Sequence, residues 1–368
     1  MTYPIKVLHT EWSDGWGGQE IRIVEEMKAV RELGVEVALA CRPEAKIRVK
    51  AEEENIPVYT FPFRGNMDLK TLTGLITLIR KEHIDIVNTH SGKDTWVGGL
   101  AAKLSGAKFI RTRHLSNPIN PSRLNFINSL ADFIITTGEG VREEMIRNNR
   151  IAPEKILSIP TGVDEKRFYP GCCNRKKMRK KYRLPDDAFL VGIVAVLRSF
   201  KRHDLFLEAA YILAEKYQNI HFVIAGDGPQ RLSIERMISE KDLEKRVHLL
   251  GHVDHPEEIY SALDLFVLSS DSKEGVPQSV IQGLIMGVPV IATDVGSTRD
   301  LYTAEPKNMY LIPPGDAFLL AQSIETLYTD SSTSKGLASV GPRSVRHFTR
   351  RIMAHKLFEI YHSLLGKR

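Results

Sequence analysis

A chain of 368 residues with 42% apolar and 26% charged side chains has material for two domains of ordinary size, which excludes a single small module. With 26 glycines and 18 prolines its composition is neither fibrous nor disordered. The net charge is +6, yet residues 165–183 alone carry nine Lys/Arg against one Glu, and the rest sums to 42 basic and 44 acidic residues. That distribution argues against an extended nucleic-acid surface and for one local basic patch or hinge.

The first nine residues, Met-Thr-Tyr-Pro-Ile-Lys-Val-Leu-His, show no basic stretch leading into an apolar one, and no run of about 18 apolar residues occurs, so neither secretion nor membrane spanning is expected. Cys41 and the adjacent Cys172 and Cys173 have no metal-ligand spacing and fit a reduced, cytoplasmic protein. Short β-rich runs at 5–9, 35–40, 58–61, 84–89, 108–113 and 133–137 alternate with helical patterns such as 19–33, closed by Gly34, and 69–81. Near-continuous apolar strands alternating with helices predict a parallel sheet covered on both faces. The alternation breaks at Ile159-Pro160-Thr161-Gly162, the basic run and Leu184-Pro185-Asp186-Asp187, which read as a domain junction. It restarts with strands at 190–196, 221–225, 247–249, 265–268, 288–292 and 309–312, giving two doubly wound domains in tandem. A last helix is predicted at 345–365, with Phe348, Ile352, Leu357, Ile360, Tyr361 and Leu364 on one face for docking.

Ligands of doubly wound sheets bind outside the carboxyl ends of the strands, which directs attention to four loops. In Trp16-Gly17-Gly18-Gln19-Glu20 two glycines let a ligand approach the backbone and a helix N-terminus offers free N–H groups to an anion; a plain tight turn would use the same residues. Neither this loop nor Gly226-Asp227-Gly228-Pro229 is Gly-x-Gly-x-x-Gly, which removes the main support for a nicotinamide dehydrogenase. His114, after Arg111-Thr112-Arg113 at another strand end, suits a hydrogen bond to a substrate hydroxyl, although a lone histidine is often structural. Arg198, Lys201 and Arg202 place three cations within five residues after the first strand of the second domain. That suits a departing diphosphate, with a solvated loop as the alternative. In the stretch from Ser270 to Gln282, Pro277 suits a first helical turn whose amides face a phosphate. Gln278 and Gln282 share one helical face opposite Val280, Ile281, Leu284 and Ile285, and on helix logic alone they could simply face solvent.

Gly17-Gly18-Gln19-Glu20, Pro160-Thr161-Gly162-Val163-Asp164 with Phe168 and Pro170, Lys201 before a helix, Gly226-Asp227-Gly228-Pro229, Glu274-Gly275-Val276-Pro277 and Met286-Gly287-Val288-Pro289-Val290-Ile291-Ala292-Thr293 together resemble a retaining GT-B glycosyltransferase of family four, over nearly the whole chain. The resemblance implies an α/β GT-B fold of two Rossmann-like domains facing a cleft. These would be an acceptor domain at 1–165, on which the helix of 345–368 packs back, and a donor domain at 166–344. It implies a nucleoside-diphosphate sugar as donor substrate, a glycan or lipid-linked acceptor, and neither cofactor nor metal. Gly17, Gly18, Gly226, Gly275, Val276, Pro277, Gln278 and Gln282 would bind the donor; His114 and Glu274 would contact the transferring sugar, and Arg198 and Lys201 the leaving diphosphate. Since Lys201 lies in a strand-to-helix loop, its removal is expected to cost activity with the fold intact.

Two positions depart from the family pattern. Its Glu-x7-Glu reads Glu274-x7-Gln282, and its Lys-Gly pair reads Lys201-Arg202 with Arg198 three residues earlier. A sugar-nucleotide epimerase or other GT-B enzyme, or a non-catalytic sugar-nucleotide sensor, is the competing expectation. The basic residues of 175–183 suit a peripheral contact with the anionic inner face of a membrane, or a solvated helix near the hinge.

Overall fold

The computed structural model describes residues 4–114, 126–272 and 274–366, so Lys273 of the fourth loop lies outside the described residues. Its contacts divide the chain into two units, 1–162 with 350–368 and 163–349. The divisions fall three residues before and five after the boundaries expected from sequence.

In the first unit β1 (Lys6–Glu11), α1 (Gly18–Arg31), β2 (Glu36–Cys41), α2 (Lys46–Glu53), β3 (Val58–Thr60), α3 (Leu69–Glu82), β4 (Ile86–Thr89), α4 (Gly92–Ser105), β5 (Lys108–Arg113), β6 (Phe133–Thr136), α5 (Glu139–Asn149) and β7 (Ile156–Ser158) follow one another. The strands form one sheet in the order β3-β2-β1-β4-β5-β6-β7, parallel throughout. Its central strands are buried on both faces, which is why they read as apolar runs rather than as an alternation. β7 gave no such signal because it is a three-residue edge strand with Leu157 exposed.

The second unit repeats the plan with α6 (Arg175–Lys181), β8 (Phe189–Val194), α7 (His203–Lys216), β9 (Ile220–Ala225), α8 (Arg231–Glu240), β10 (Val247–Gly251), α9 (Pro256–Ala262), β11 (Leu265–Leu268), α10 (Gln278–Ile285), β12 (Val290–Thr293), β13 (Tyr310–Ile312), α11 (Ala317–Thr329) and α12 (Ser331–Ser344). Its parallel sheet runs β10-β9-β8-β11-β12-β13. In both sheets the chain winds outward in one direction, returns to the start and winds out the other way. The reversal falls between β1 and β4 and between β8 and β11, which makes the carboxyl ends of those strands the natural ligand sites.

The chain ends in α13 (Arg350–Leu364), five residues later than the predicted helix start. Residues 345–349 belong to the second unit, where Val345 and Phe348 are buried in the core and the Phe348 carbonyl accepts the Val163 amide at 2.9 Å. Phe348 is therefore not part of the docking face. Met353, Ala354, Leu357, Ile360 and Tyr361 are, and they pack into the core that lines α1 and β2 of the first unit. Arg350 adds ion pairs to Glu25 at 3.3 Å and Glu32 at 2.8 Å. Truncating the fully buried Leu357 to alanine should cost about 2–5 kcal/mol of stability. Urea unfolding measures this, and a loss under about 1 kcal/mol would show that α13 is not held by this core.

Candidate active site

The loop after β8 carries Arg198 and Lys201, and the loop after β11 carries Glu274, so the second unit's switch point brings together residues more than 70 positions apart. Lys201 Nζ donates to Glu274 Oε1 at 2.6 Å, and Ser270 Oγ donates to the same oxygen at 2.6 Å. The Lys201 and Glu274 side chains are only 15% and 8% exposed. Arg198 is exposed, and its guanidinium has no partner among the described residues.

Several close backbone approaches hold these loops. Gly226 has φ +151°, and a Cβ there would lie 1.8 Å from the Ala195 carbonyl oxygen; the Leu197 amide then bonds the Asp227 carbonyl at 3.0 Å. Gly226, expected to bind donor, thus has a packing reason of its own: it lets its loop lie against the one that carries Arg198 and Lys201. Gly296, at φ +54°, similarly lets the chain press on Glu274, whose carbonyl oxygen would sit 1.9 Å from an added Cβ. Arg202 occupies the left-handed region at φ 52°, a strain of about 1–2 kcal/mol for a side-chain-bearing residue. Its guanidinium bonds Asp204 at 2.8 Å and Asp271 at 3.3 Å, which offsets that strain and ties the two loops together.

The other residues expected to bind the donor separate by what they can offer. Pro277 is the N-cap of α10 at ψ 114°, not part of its first turn, because the residue is extended there. Val276 points into the core, so only its backbone and that of Gly275 can serve a ligand. Gln278 and Gln282 are half-buried on α10, and no described residue bonds either amide. The basic run is less available than its composition suggested. Arg179 is buried against Asp264 at 2.7 Å and the Ala188 carbonyl at 2.9 Å, Arg175 also bonds Asp264, Lys181 bonds Glu258, and Arg167 bonds Glu257 at 2.8 Å. Lys176, Lys177, Lys180 and Arg183 have no acidic partner among the described residues.

In the first unit, Gly17 caps α1 and Gly18 opens it, and an added Cβ at Gly18 would meet nothing within 4 Å, so its neighbours do not require a glycine. The loop before it is pinned by Glu11, whose buried carboxyl accepts the Trp12 and Ser13 amides at 2.8 Å each and the Gln19 amide. His114, 8% exposed, does not stand alone. Its Nε2 lies 2.9 Å from His90 Nδ1, and His90 Nε2 lies 2.9 Å from His9 Nδ1. Asp94 holds the His90 amide at 2.9 Å, the Ser91 amide at 2.8 Å and the Thr10 hydroxyl at 2.7 Å. Beneath them Asn88 links the Thr112 hydroxyl, at 2.8 Å, to Glu26, at 3.0 Å, and Glu26 pairs with the buried Arg22. Sequence reasoning missed Glu11, His9, His90, Asp94 and Ser270. The available signal was that three predicted strands, 5–9, 84–89 and 108–113, each end on a histidine or are followed by one. Among the described residues no three ligating side chains converge on a point that could hold a metal.

The sequence comparisons agree on one family. Residues 16–167 match the profile described as Glycosyltransferase Family 4, and residues 174–342 that described as Glycosyl transferases group 1. The chain is 26% identical to EpsD of Bacillus subtilis over 358 residues, 91% of each chain. It is 30% identical over 252 residues to the UDP-Gal:alpha-D-GlcNAc-diphosphoundecaprenol alpha-1,3-galactosyltransferase of Escherichia coli, 65% of each. The fold is similar to that of Anabaena HepE in complex with UDP-glucose, with a TM-score of 0.85 at 21% identity over 98% of this chain and all of that one.

Two outcomes follow from the buried charges. The Lys201 ion pair adds a stability cost to the expected loss of activity on its removal. Lys201→Met strands a nearly buried carboxylate, which costs about 3–5 kcal/mol, and adding Glu274→Gln should restore most of it; urea unfolding of both single variants and the double gives the coupling, and strictly additive losses would show no pairing. The second concerns pH. Burial lowers His9 to about 3 and His203 to about 4; burial followed by neighbouring positive charge holds His90 and His114 well below 6.5. Unfolded rings take up protons that the folded rings refuse, so the stability they contribute is full above about pH 6.5 and is lost towards pH 3–4. Each ring loses up to about 1.4 kcal/mol per pH unit in that window. Glu11 acts oppositely: burial, then the charge of Asp94, raises it to about 8, so its contribution is full below about 4.5 and is lost as the pH climbs to 8. Burial likewise lowers His221 to about 4 and His248, and raises Glu26 and Asp94, so six rings stand against three carboxyls, and the urea midpoint should be lower at pH 5 than at pH 7. Equal midpoints would show that the rings are not kept neutral.

Proposed function

The chain belongs to the family-four glycosyltransferases of the GT-B fold, and on that premise we propose that it moves a hexose-type sugar from a nucleoside diphosphate to a hydroxyl of a cell-envelope glycan or lipid-linked saccharide, with retention of anomeric configuration. The observation that carries this reading is the meeting of Lys201, Glu274 and Ser270 beside Arg198 at the second unit's switch point. An ammonium has three donors, so Lys201 can keep Glu274 and still donate to a phosphate oxygen. Glu274 retains a second oxygen for a sugar hydroxyl. Arg198 and the backbone amides at the start of α10 add positive potential where the diphosphate gathers charge.

In the proposed step the acceptor oxygen attacks the anomeric carbon on the face from which the diphosphate leaves. The carbon–phosphate-oxygen bond breaks as the new glycosidic bond forms, and the acceptor proton passes to the departing phosphate oxygen. Glycoside and nucleoside diphosphate are the products. Charge stabilisation of an oxocarbenium-like centre and a leaving group is the main demand, and this site is rich in cations rather than in strong bases. Gln282 serves a ribose diol by accepting from one hydroxyl and donating to the other. In the first unit, Gly18 suits a diphosphate and His114 a sugar hydroxyl, and this unit takes the acceptor. The uridine donor bound by HepE and the diphosphoundecaprenol acceptor in the name of the Escherichia coli relative support a uridine nucleotide and a lipid-linked saccharide here. The four cations around α6 that have no acidic partner among the described residues are suited to an anionic surface bearing such an acceptor.

Thermal shift with UDP-glucose, UDP-galactose and other sugar nucleotides tests binding, because a ligand at 100 times its dissociation constant stabilises by about 2.7 kcal/mol. Release of nucleoside diphosphate only when an acceptor is present supports transfer; acceptor-independent release points to an epimerase, and binding without turnover over an acceptor panel points to a sensor. With a donor in hand, Gln282→Ala should raise the donor KM several-fold with kcat little changed, as expected for one lost hydrogen bond of about 0.5–1.5 kcal/mol present in both ground and transition states. Glu274→Gln should lower kcat sharply. The reverse pattern would exchange their roles.

A further inference from the structure

His9, His90 and His114 come from β1, the end of β4 and the end of β5, three adjacent strands, and form a continuous chain of ring nitrogens at 2.9 Å intervals. The His9 and His90 ring planes differ by 10° with centroids 5.2 Å apart. With so short a nitrogen separation, that places the rings edge to edge as in an N–H···N hydrogen bond, not face to face. A neutral imidazole has one N–H and one bare nitrogen, so each link needs one ring to donate and the next to accept. The chain therefore has only two self-consistent states, and all three tautomers change together.

The far end distinguishes the two states. His9 Nε2 is buried and has no hydrogen-bond partner. In one state it would be an orphaned buried N–H, the rarer and costlier defect; in the other it is a bare acceptor. We infer that the rings run in the second state, with His9 Nδ1–H donating to His90, His90 Nδ1–H donating to His114 Nε2, and His114 presenting Nδ1–H as a fixed hydrogen-bond donor at the carboxyl end of β5. His90 and His9 are then positioning residues, and His114 meets a sugar hydroxyl oxygen as a donor rather than as a base.

The surroundings keep the chain neutral and aligned. Arg22, paired with Glu26 on α1, and Arg111 on β5 act on both His90 and His114, and Arg113 acts on His114. Asp94 on α4 carries no bond to a ring nitrogen but holds the His90 backbone amide. A fourth ring proton would meet three guanidinium groups. Donors in series polarise one another, so the terminal His114 N–H is a stronger donor than a lone imidazole.

This inference rests on the proposed function for the role of His114, but its test does not need a ligand. Full-length protein labelled with 15N at its 12 histidines distinguishes N–H from bare nitrogens in two-bond 1H–15N spectra, with peaks assigned from His9→Gln, His90→Gln and His114→Asn. The expected result is Nδ1–H at all three rings, unchanged between pH 8 and pH 6. An Nε2–H tautomer at His114, or a mixture, overturns the assignment. In His90→Gln the amide still donates to His114 Nε2, and His114 should stay Nδ1–H. In His90→Leu that donor is gone, and a population of Nε2–H should appear at His114; a folded His90→Leu protein with His114 still wholly Nδ1–H would remove His90 from the role. If His90→Leu does not fold, the parent and His90→Gln spectra still decide the tautomer. A folded His114→Ala variant that binds and turns over UDP-glucose like its parent would sink the reading of His114 as a substrate contact while leaving the histidine chain standing.

Discussion

Parallel strand pairing is the constraint from which the rest follows. A parallel strand cannot return by a tight turn, so each connection must cross over, and here nearly every crossover carries a helix across a sheet face. With both faces covered, the strand ends remain as places where a ligand can meet backbone and side chains together. The winding reverses once in each sheet, between β1 and β4 and between β8 and β11, and at those points two neighbouring loops diverge and leave room. The residues to which chemistry has been attributed sit on these loops, on the next one along or on the helix that follows.

Within the second unit, room at the switch point would be useless if the loops were loose. They are held by backbone packing that only glycine allows at 226 and 296, and by Arg202, which accepts a left-handed backbone because its side chain spans Asp204 and Asp271. The result is a lysine and a glutamate pressed into one hydrogen-bonded pair at low exposure. Such a pair is a weak source of net stability, because desolvation consumes most of the Coulomb gain. Its effect is orientation: the ammonium is held in one direction and partly stripped of water, which is what the proposed contact with a diphosphate would use.

The first unit handles buried polarity differently. Histidines, Asn88, Thr112, Asp94 and Glu11 lie under the strand ends in hydrogen-bonded series, with the buried Arg22–Glu26 pair beneath. Low local dielectric makes each satisfied link strong and each orphaned atom costly. That cost is what gives the series a direction, since the unsatisfied atom at His9 is better left as an acceptor than as a donor.

The order of elements, both sheets and the family were legible in the residues, because apolar strand runs, helix periodicity and glycine-proline punctuation are local signals with a fixed physical meaning. The placement of Arg198, Lys201, Glu274, Gln282 and His114 was legible too, since each stands in a loop after a strand or on the helix that follows. What the residues alone could not reveal depends on register and on distance through space. That Lys201 grips Glu274 follows from β8 and β11 being neighbours, where Val191 pairs with Leu265 across a wide gap in sequence. That three basic side chains of 175–183 are spent on Asp264 and Glu258 follows from α6 packing on α9. The alignment of His9, His90 and His114 needs the stagger of β1, β4 and β5, where Thr10 faces Thr89 and Thr89 faces Arg111. A one-residue slip would turn each of these side chains to the other face, and nothing in the local sequence sets that stagger; only the packed sheet does.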